Sequence, residues 1–552
     1  ESPFLEGAGS KVVSYGYRVG EVPLTDIAPV KPGTRFTPFV EIDLPRRPIM
    51  RASLGPHLEN AARPVPDTND PAGMKAGSAK RFCFAPPKAV EGIYEELEAF
   101  VKQWLIENLV PLKPDSDTSV ETWINNTAYT QARKDELLRK WKANPDMSLD
   151  RNRCVKMFLK DENYPEYKYP RGINSRVDEF KVATGPIFKL IEKELFSLDW
   201  FIKKIPVSER PAYIRKRLGH GLKFLATDYS SFEACFVKKL MMACEFVLYE
   251  YMTRHLPGGD DWLVLIREVI AGTNTLHNKY FKTFVEATRM SGEMNTSLGN
   301  SFSNLMFMLF LAKKIGSHSV TGVVEGDDGL FAMCGRFPTA EEFTQLGLVI
   351  KIDEHDDVST ASFCGLIFDT EDMINVTDPI KVLETFGWTT RQYARSNSKR
   401  LRELLKCKAL SLIYQYNGSP IITALACYAL RMTKNVRAKP GQCGVWEREE
   451  LRNALSFRGA IRAVPDRTRI LVEAKFGISI EHQKTLESYF DAKEVLGPIN
   501  HDLIVMYSGS DSQHYYHNYV RVVDVKSKLS DEPTFGSNAS ALNDIVVNVM
   551  EE

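Results

Sequence analysis

Val323-Val324-Glu325-Gly326-Asp327-Asp328-Gly329-Leu330-Phe331 is the stretch on which the reading of this chain turns. Apolar residues on both sides suit two buried strands, and the glycines suit a tight reversal between them, so Asp327 and Asp328 are expected at a hairpin tip. A metal ion can be held in such a place. Taken alone, the same residues also make an ordinary solvated turn, because so short a motif recurs by chance. The rest of the chain has to decide.

Working outward, the first partner lies about a hundred residues earlier. Lys223 to Thr227 is a strand-like run ending in Asp228-Tyr229-Ser230-Ser231-Phe232-Glu233. Ser230 or Ser231 is placed to cap a helix whose apolar positions are Phe232, Phe236, Leu240, Ala243 and Val247. Asp228 would then close a strand, and Glu233 would lie just inside a helix start, where the helix dipole alone also favours a carboxylate. Next, Ser291-Gly292-Glu293-Met294-Asn295-Thr296-Ser297-Leu298-Gly299-Asn300 leads into a nearly all-apolar helix through Leu311, ended by Lys313, Lys314 and Gly316. Thr296 and Asn300 share one helix face, where hydrogen bonds that satisfy the core are the structural alternative to a binding role. A sheet that brings Asp228 beside Asp327 would assemble two carboxylates able to hold two Mg²⁺ ions. In two-metal chemistry one ion lowers the pKa of an attacking hydroxyl and both stabilise charge on the phosphoryl group in transfer. The substrate class becomes nucleotides.

Two basic strips accompany these motifs. Arg151 to Arg176 holds seven Lys or Arg against three acidic residues, with apolar residues interleaved at strand spacing, as suits a strip beside phosphates or a solvated hairpin. Arg391 to Lys408 holds seven basic residues and one acidic, Glu403, on a helical pattern, and most such runs are solvated faces. Tyr129 to Lys134 precedes a helical stretch that reads as a charged surface helix. Leu346 to Lys351 reads as a buried strand reaching a lysine, and Ser362 to Phe368 as another apolar hairpin.

Composition bounds the rest. At 552 residues, with 43% hydrophobic and 26% charged residues, the chain should form several packed substructures. Lys plus Arg equals Asp plus Glu at 71 each, so any nucleic-acid surface must come from local segregation of charge. The nine cysteines show no CxxC pair and no zinc-ligand spacing, which favours reduced structural thiols. No apolar run is long enough to span a bilayer, the longest lying around Asn304 to Ala312 and Ile421 to Leu430. No signal peptide is visible at the start. The first ninety or so residues are rich in Pro and Gly with short β-like runs, Lys11 to Tyr17 and Phe36 to Ile42, and read as an extended arm. A helix from Val90 to Leu109 begins the compact part, and the last twenty or so residues are expected to be loosely ordered.

The ordered set DYSSFE, SGEMNTSLGNS and EGDDG resembles motifs A, B and C of positive-strand viral RNA-dependent RNA polymerases, and SGEMNTSLGN is especially similar to the tombusvirus-like and wider flavivirus-like groups. The family pattern also matches Lys156 to Arg176 (motif F), Lys351 (motif D), Phe363-Cys364-Gly365 (motif E) and, more loosely, Tyr129 to Lys134 (motif G). The resemblance implies an α+β fold, a right hand of fingers, palm and thumb in a closed fingers-thumb arrangement. Residues 1–90 would be an arm bridging fingers and thumb, 91–225 fingers, 226–239 palm, 240–285 a fingers insertion, 286–380 palm, and 381–552 thumb and C-terminal tail.

By the same resemblance Asp228, Tyr229, Asp327 and Asp328 would hold Mg²⁺, with Mn²⁺ able to substitute, and Lys351 would protonate the departing pyrophosphate. Lys160, Arg171 and Arg176 would meet the triphosphate. Glu233, Ser291, Gly292, Thr296 and Asn300 would read the ribose, the departure being Glu233 where the family usually has Asp. Implied partners are an RNA template and product strand, ribonucleoside triphosphates, and a viral or host protein that anchors the polymerase at membrane-associated replication sites in the host cytoplasm.

Two rivals compete. A DNA-copying palm enzyme normally carries a bulky side chain that excludes the 2′-hydroxyl, against which Glu233 with Asn300 argues. A non-catalytic RNA-binding scaffold would leave the acidic turn without a role. The aromatic run His514 to Tyr519 suits thumb packing, or stacking of a first nucleotide.

Overall fold

The computed structural model describes residues 11–24, 29–39, 46–219, 223–438, 451–455 and 459–523. The tail expected to be loosely ordered, the end of the Phe36 to Ile42 run and Cys443 lie outside them. The arm carries β1 (Lys11–Ser14), β2 (Arg35–Pro38) and β3 (Ile49–Ala52). The basic strip forms β4 (Cys154–Leu159) and β5 (Gly172–Arg176), and Asp228 lies in β6 (Phe224–Tyr229). Then follow β7 (Thr273–His277), β8 (Phe281–Glu286), β9 (His318–Val324), β10 (Gly329–Cys334) and β11 (Ile350–His355). The short pair β12 (Ile367–Phe368) and β13 (Asn375–Val376) comes next, and β14 (Val520–Val523) is last.

The central sheet has the order β11-β6-β10-β9, so β6 lies between strands a hundred and more residues distant in sequence. Its centre is apolar on both faces, as expected of a sheet covered on both sides. With side chains alternating along a strand, Val324, Phe331 and Met333 enter one core with the helix Thr296–Lys314. Val323, Leu330 and Ala332 enter the other with Ile214, Leu218 and Phe363.

A second sheet runs β2-β8-β7-β4-β5, with β4 parallel to β7 and antiparallel to β5. A third runs β14-β1-β3. The arm therefore gives β2 to the sheet of the basic hairpin and β1 and β3 to a sheet shared with the last described strand. Its side chains do the same: Met74, Phe82 and Cys83 pack with Val155, Met157 and Leu276, while Leu54 and Leu58 pack among the C-terminal helices with Leu383, Leu405 and Leu425.

One expected element is broken. The helix after Ser231 is three short helices, Phe232–Cys235, Lys238–Ala243 and Glu245–Thr253. Ser231 takes a left-handed φ of 49° and makes no side-chain cap. The apolar positions read from sequence are buried, but so are Ala234, Cys235, Cys244 and Glu245, and the exposed residues of 232–253 are Lys238, Lys239 and Glu250, so burial extends well beyond one stripe. No disulfide joins any two of the eight described cysteines, and among the described residues no helix is long and apolar enough to cross a membrane.

Candidate active site

The acidic turn closes the β9–β10 hairpin through reciprocal main-chain bonds, Glu325 N–H to the Asp328 carbonyl at 2.9 Å and Asp328 N–H to the Glu325 carbonyl at 2.6 Å. Gly326 has φ 63°, a value that glycine adopts without strain. Four neighbours hold the turn. Ser301 Oγ accepts from Gly326 N–H at 2.8 Å, and Asn304 Nδ2 donates to the carbonyls of Gly326 and Asp328, both at 3.3 Å. From the other side, Cys364 N–H donates to Asp328 Oδ2 at 3.0 Å, and Arg210 pairs with Glu325 at 3.1 Å.

The pairing of Gly329 with Thr227 carries Asp328 to the level of Asp228, and Lys351 of β11 stands opposite Asp228 on the other side of β6. Negative charge accumulates here without compensation. Burial pushes the Asp327 carboxyl up to about 6, with Asp328, Glu233 and Asp228 adding to the shift. Burial also raises Asp328, assisted by Asp228 and Glu325, against the opposing N–H of Cys364. Among the described residues no salt bridge reaches Asp228 or Asp327.

Hard carboxylate oxygens with unbalanced charge fit Mg²⁺, which is typically bound through one or two carboxylates, waters and substrate phosphates. Among the described residues, no three His, Cys, Asp or Glu side chains are grouped so as to hold an ion by themselves. Tyr229 packs its ring on Phe232 at 4.5 Å, and its hydroxyl is buried without a partner, so its side chain offers no metal ligand at the strand end.

The stretch Ser291 to Asn300 is fixed from behind by a buried ion pair. Arg289 donates to both oxygens of Glu245 at 2.8 and 2.6 Å, and both side chains are wholly buried. Arg289 Nε also donates to Asn300 Oδ1 at 2.9 Å, and Asn295 Nδ2 donates to Glu245 at 3.2 Å. Thr296 Oγ1 donates to the Met290 carbonyl at 3.0 Å. For Thr296 and the Asn300 oxygen, the core-satisfying bonds weighed from sequence are what the structure holds. Ser291 Oγ donates to the Gly172 carbonyl and accepts from Asn174 N–H, both at 3.4 Å. Gly292 is needed for close approach, since a Cβ there would lie 2.3 Å from the Asn174 carbonyl oxygen. The Ser291 to Asn300 stretch thus leans directly on β5 of the basic hairpin.

At the hairpin tip Glu162 gathers the expected phosphate ligands. It accepts from Arg171 at 2.5 and 2.6 Å and pairs with Lys160 at 2.9 Å. Burial raises the Glu162 carboxyl, but the two cations outweigh it and bring it down to about 2. Arg171 is half exposed at 52%, so the guanidinium remains open to solvent on its outer side.

Residues 206–429 match the family described as viral RNA-dependent RNA polymerase. The chain is similar to the RNA-directed RNA polymerases of Greasy grouper nervous necrosis virus (27% identical over 186 residues), Atlantic halibut nervous necrosis virus (26% over 186) and Striped jack nervous necrosis virus (26% over 185). Each alignment covers 32% of this chain and 18% of the relative, so the chain's match spans about a fifth of those proteins' length.

Within and around the matched region, several expected site residues sit elsewhere than sequence suggested. Arg176 is buried at 2% and engaged by Glu293, by the Asn152 carbonyl at 3.1 Å and by Asn274 at 2.5 Å, so its guanidinium ties the hairpin to the loop before Thr296 and is not open to a triphosphate. Lys351 is 71% exposed and paired with Asp353 at 3.1 Å. Glu233 is bonded to Arg81 at 2.7 Å, and no described bond joins it to Asn300.

In the motif G stretch, Arg133 forks onto Asp178 at 2.5 and 3.0 Å, as a structural surface helix would have it. On the Ser398–Tyr416 helix, Lys408 donates to the carbonyls of Thr385, Phe386 and Trp388, closing a neighbouring helix end. Tyr515 is 1% exposed and stacked on Tyr519 at 5.2 Å beside the arm, which is the packing role. The residues around the candidate site that were missed from sequence are Arg289, Glu245, Ser301, Asn304 and Arg81. Only Arg289, a lone cation just ahead of the apolar helix, carried a visible signal.

Proposed function

We propose that this chain is a template-directed RNA polymerase that joins ribonucleoside triphosphates to replicate a viral RNA genome. The observation that carries the reading is the uncompensated carboxylate group of Asp228, Asp327 and Asp328, assembled by β6 and the β9–β10 turn inside the family-matched region. Asp228 and Asp327 would hold Mg²⁺ or Mn²⁺, with Asp328 assisting and the Tyr229 main-chain carbonyl adjacent. When bound, the metal supplies activation of the attacking hydroxyl and neutralisation of charge at the phosphoryl group.

The chain's own residues do the rest. Lys160 and Arg171 take the triphosphate in exchange for their hold on Glu162, which charge-assisted bonds to phosphate favour. Ser291, Gly292, Thr296 and Asn300 form a wall rigid enough to discriminate the sugar, and Lys351 is the proton donor to the leaving group. The right-hand layout with fingers and thumb bridged by the arm is supported by the arm's strands in two sheets. The SGEMNTSLGN stretch supports a place near the tombusvirus-like groups. RNA template and product strand are the macromolecular partners, and a viral or host protein supplies attachment at membrane-associated replication sites in the host cytoplasm.

The test is incorporation on a short RNA template with ribo- or deoxyribonucleoside triphosphates. Ribonucleotide product is expected; a preference for deoxyribonucleotides would favour the DNA-copying rival, and no product with retained template binding would favour the scaffold.

A further inference from the structure

The arm places a guanidinium on Glu233. Arg81 lies in the π-turn Ala79–Cys83 that continues the helix Pro71–Ser78. One of its terminal nitrogens donates to Glu233 Oε1 at 2.7 Å and the other to the Gly172 carbonyl at 2.9 Å. The same carbonyl accepts from Ser291 Oγ at 3.4 Å. One carbonyl at the head of β5 therefore joins the arm, the basic hairpin and the Ser291 loop, and Arg81 extends that junction to Glu233.

The arm is seated there with little tolerance. A Cβ on Gly77 would lie 2.2 Å from the Pro170 carbonyl oxygen, and one on Gly172 would lie 2.9 Å from the ring of Phe82, which is wholly buried.

We propose that Arg81 is a positioning residue for Glu233: it fixes one carboxylate oxygen so that the other accepts from the sugar hydroxyls of the incoming ribonucleotide, and the arm thereby sets selectivity for ribose. This rests on the polymerase reading above. Asn300 Oδ1 already accepts from Arg289, so Asn300 faces the sugar chiefly as a donor through Nδ2 and complements the accepting carboxylate of Glu233. The methylene by which Glu233 exceeds an aspartate supplies the reach to Arg81.

Oε2 of Glu233 carries no partner among the described residues, and the pair is largely withdrawn from water, with side chains 20% and 15% exposed. A bond to a charged group counts for more in such a setting than on an open surface. A site built to bond a hydroxyl rejects the analogue that lacks it.

The experiment measures kcat and KM for a ribo- and a deoxyribonucleoside triphosphate bearing the same base. The proteins are the wild type, Arg81→Lys, Arg81→Ala, Glu233→Asp and the double variant Arg81→Ala/Glu233→Asp, with thermal midpoints as folding controls. Arg81→Ala is expected to raise KM for the ribonucleotide and to lower the ribo-to-deoxy ratio of kcat/KM by about tenfold, leaving the deoxyribonucleotide nearly unchanged. Arg81→Lys should fall between. Glu233→Asp, which withdraws the carboxylate from Arg81, should reproduce Arg81→Ala, and the double variant should add little to either.

Equal loss for both sugars, or additive effects, overturns the assignment of Arg81 while leaving the polymerase reading intact. If Arg81→Ala does not fold, the ratios for Arg81→Lys and Glu233→Asp decide in the same way. A wild type that incorporates neither sugar overturns the polymerase reading and this one with it.

Discussion

Asp327 sits at an exposed turn position, yet the groups packed around it desolvate its carboxyl and its neighbours are anions. Its pKa of about 6 against an ordinary 3.8 means that the folded state binds the proton more tightly than the unfolded chain. The stability this contributes is fully present below the unfolded value and is lost as pH rises through the folded one. Without metal, the thermal midpoint of the wild type is expected to fall between about pH 4 and 6 by more than that of Asp327→Asn, and the difference is read by scanning calorimetry in chelator. Added Mg²⁺ should raise the wild-type midpoint more at neutral pH than at about pH 5, because the ligand must be ionised. Equal midpoint shifts at both pH values would contradict the metal assignment. Gly292 gives a second residue-level test. Gly292→Ala must push a methyl against the Asn174 carbonyl, and overpacking costs about 1–3 kcal/mol, measured by denaturant unfolding.

The elements around the turn owe their precision to polar groups inside otherwise apolar segments. The helix Thr296–Lys314 carries Ser301 and Asn304 on the face toward the turn, and the loss of these bonds is worth about 1 kcal/mol each. Asn304→Leu is therefore expected to lower kcat more than stability, as a comparison of turnover with thermal midpoint would show. The Arg289–Glu245 pair is buried, so Glu245→Gln, which leaves Arg289 uncompensated, should cost about 3–5 kcal/mol, read by chemical denaturation.

At this scale the sequence was readable where pattern and physics coincide. The strand-turn-strand around Asp327 follows from apolar flanks and glycines, and the basic strip around Arg171 became β4 and β5. The helix after Ser231 was not readable, because periodicity does not reveal a break in a segment whose burial extends well beyond one stripe. Nor was the burial of Arg176, since a cation's partner, here Glu293, lies more than a hundred residues away in sequence.

Across the whole molecule, the arm is what sequence described least and the structure uses most. Its Pro- and Gly-rich composition suggested only an extended path, yet β2 joins the sheet of the basic hairpin and β1 lies between β3 and β14. Long-range pairing of this kind leaves no local signature. Neutral net charge hides a second whole-molecule property. If the hairpin face around Lys156, Lys160 and Arg171 holds RNA, affinity should fall steeply with ionic strength, and a flat response would make that face ordinary surface.

The central claim is that Asp228 and Asp327 form the catalytic centre of RNA synthesis. Its most direct test is ribonucleotide incorporation on a short RNA template with Mg²⁺, comparing the wild type with Asp228→Asn and Asp327→Asn, with template binding measured in parallel. The account expects product from the wild type and a loss of at least about a hundredfold in each variant with binding retained, since the metal site supplies several kcal/mol to the transition state. Undiminished synthesis by either variant would contradict it.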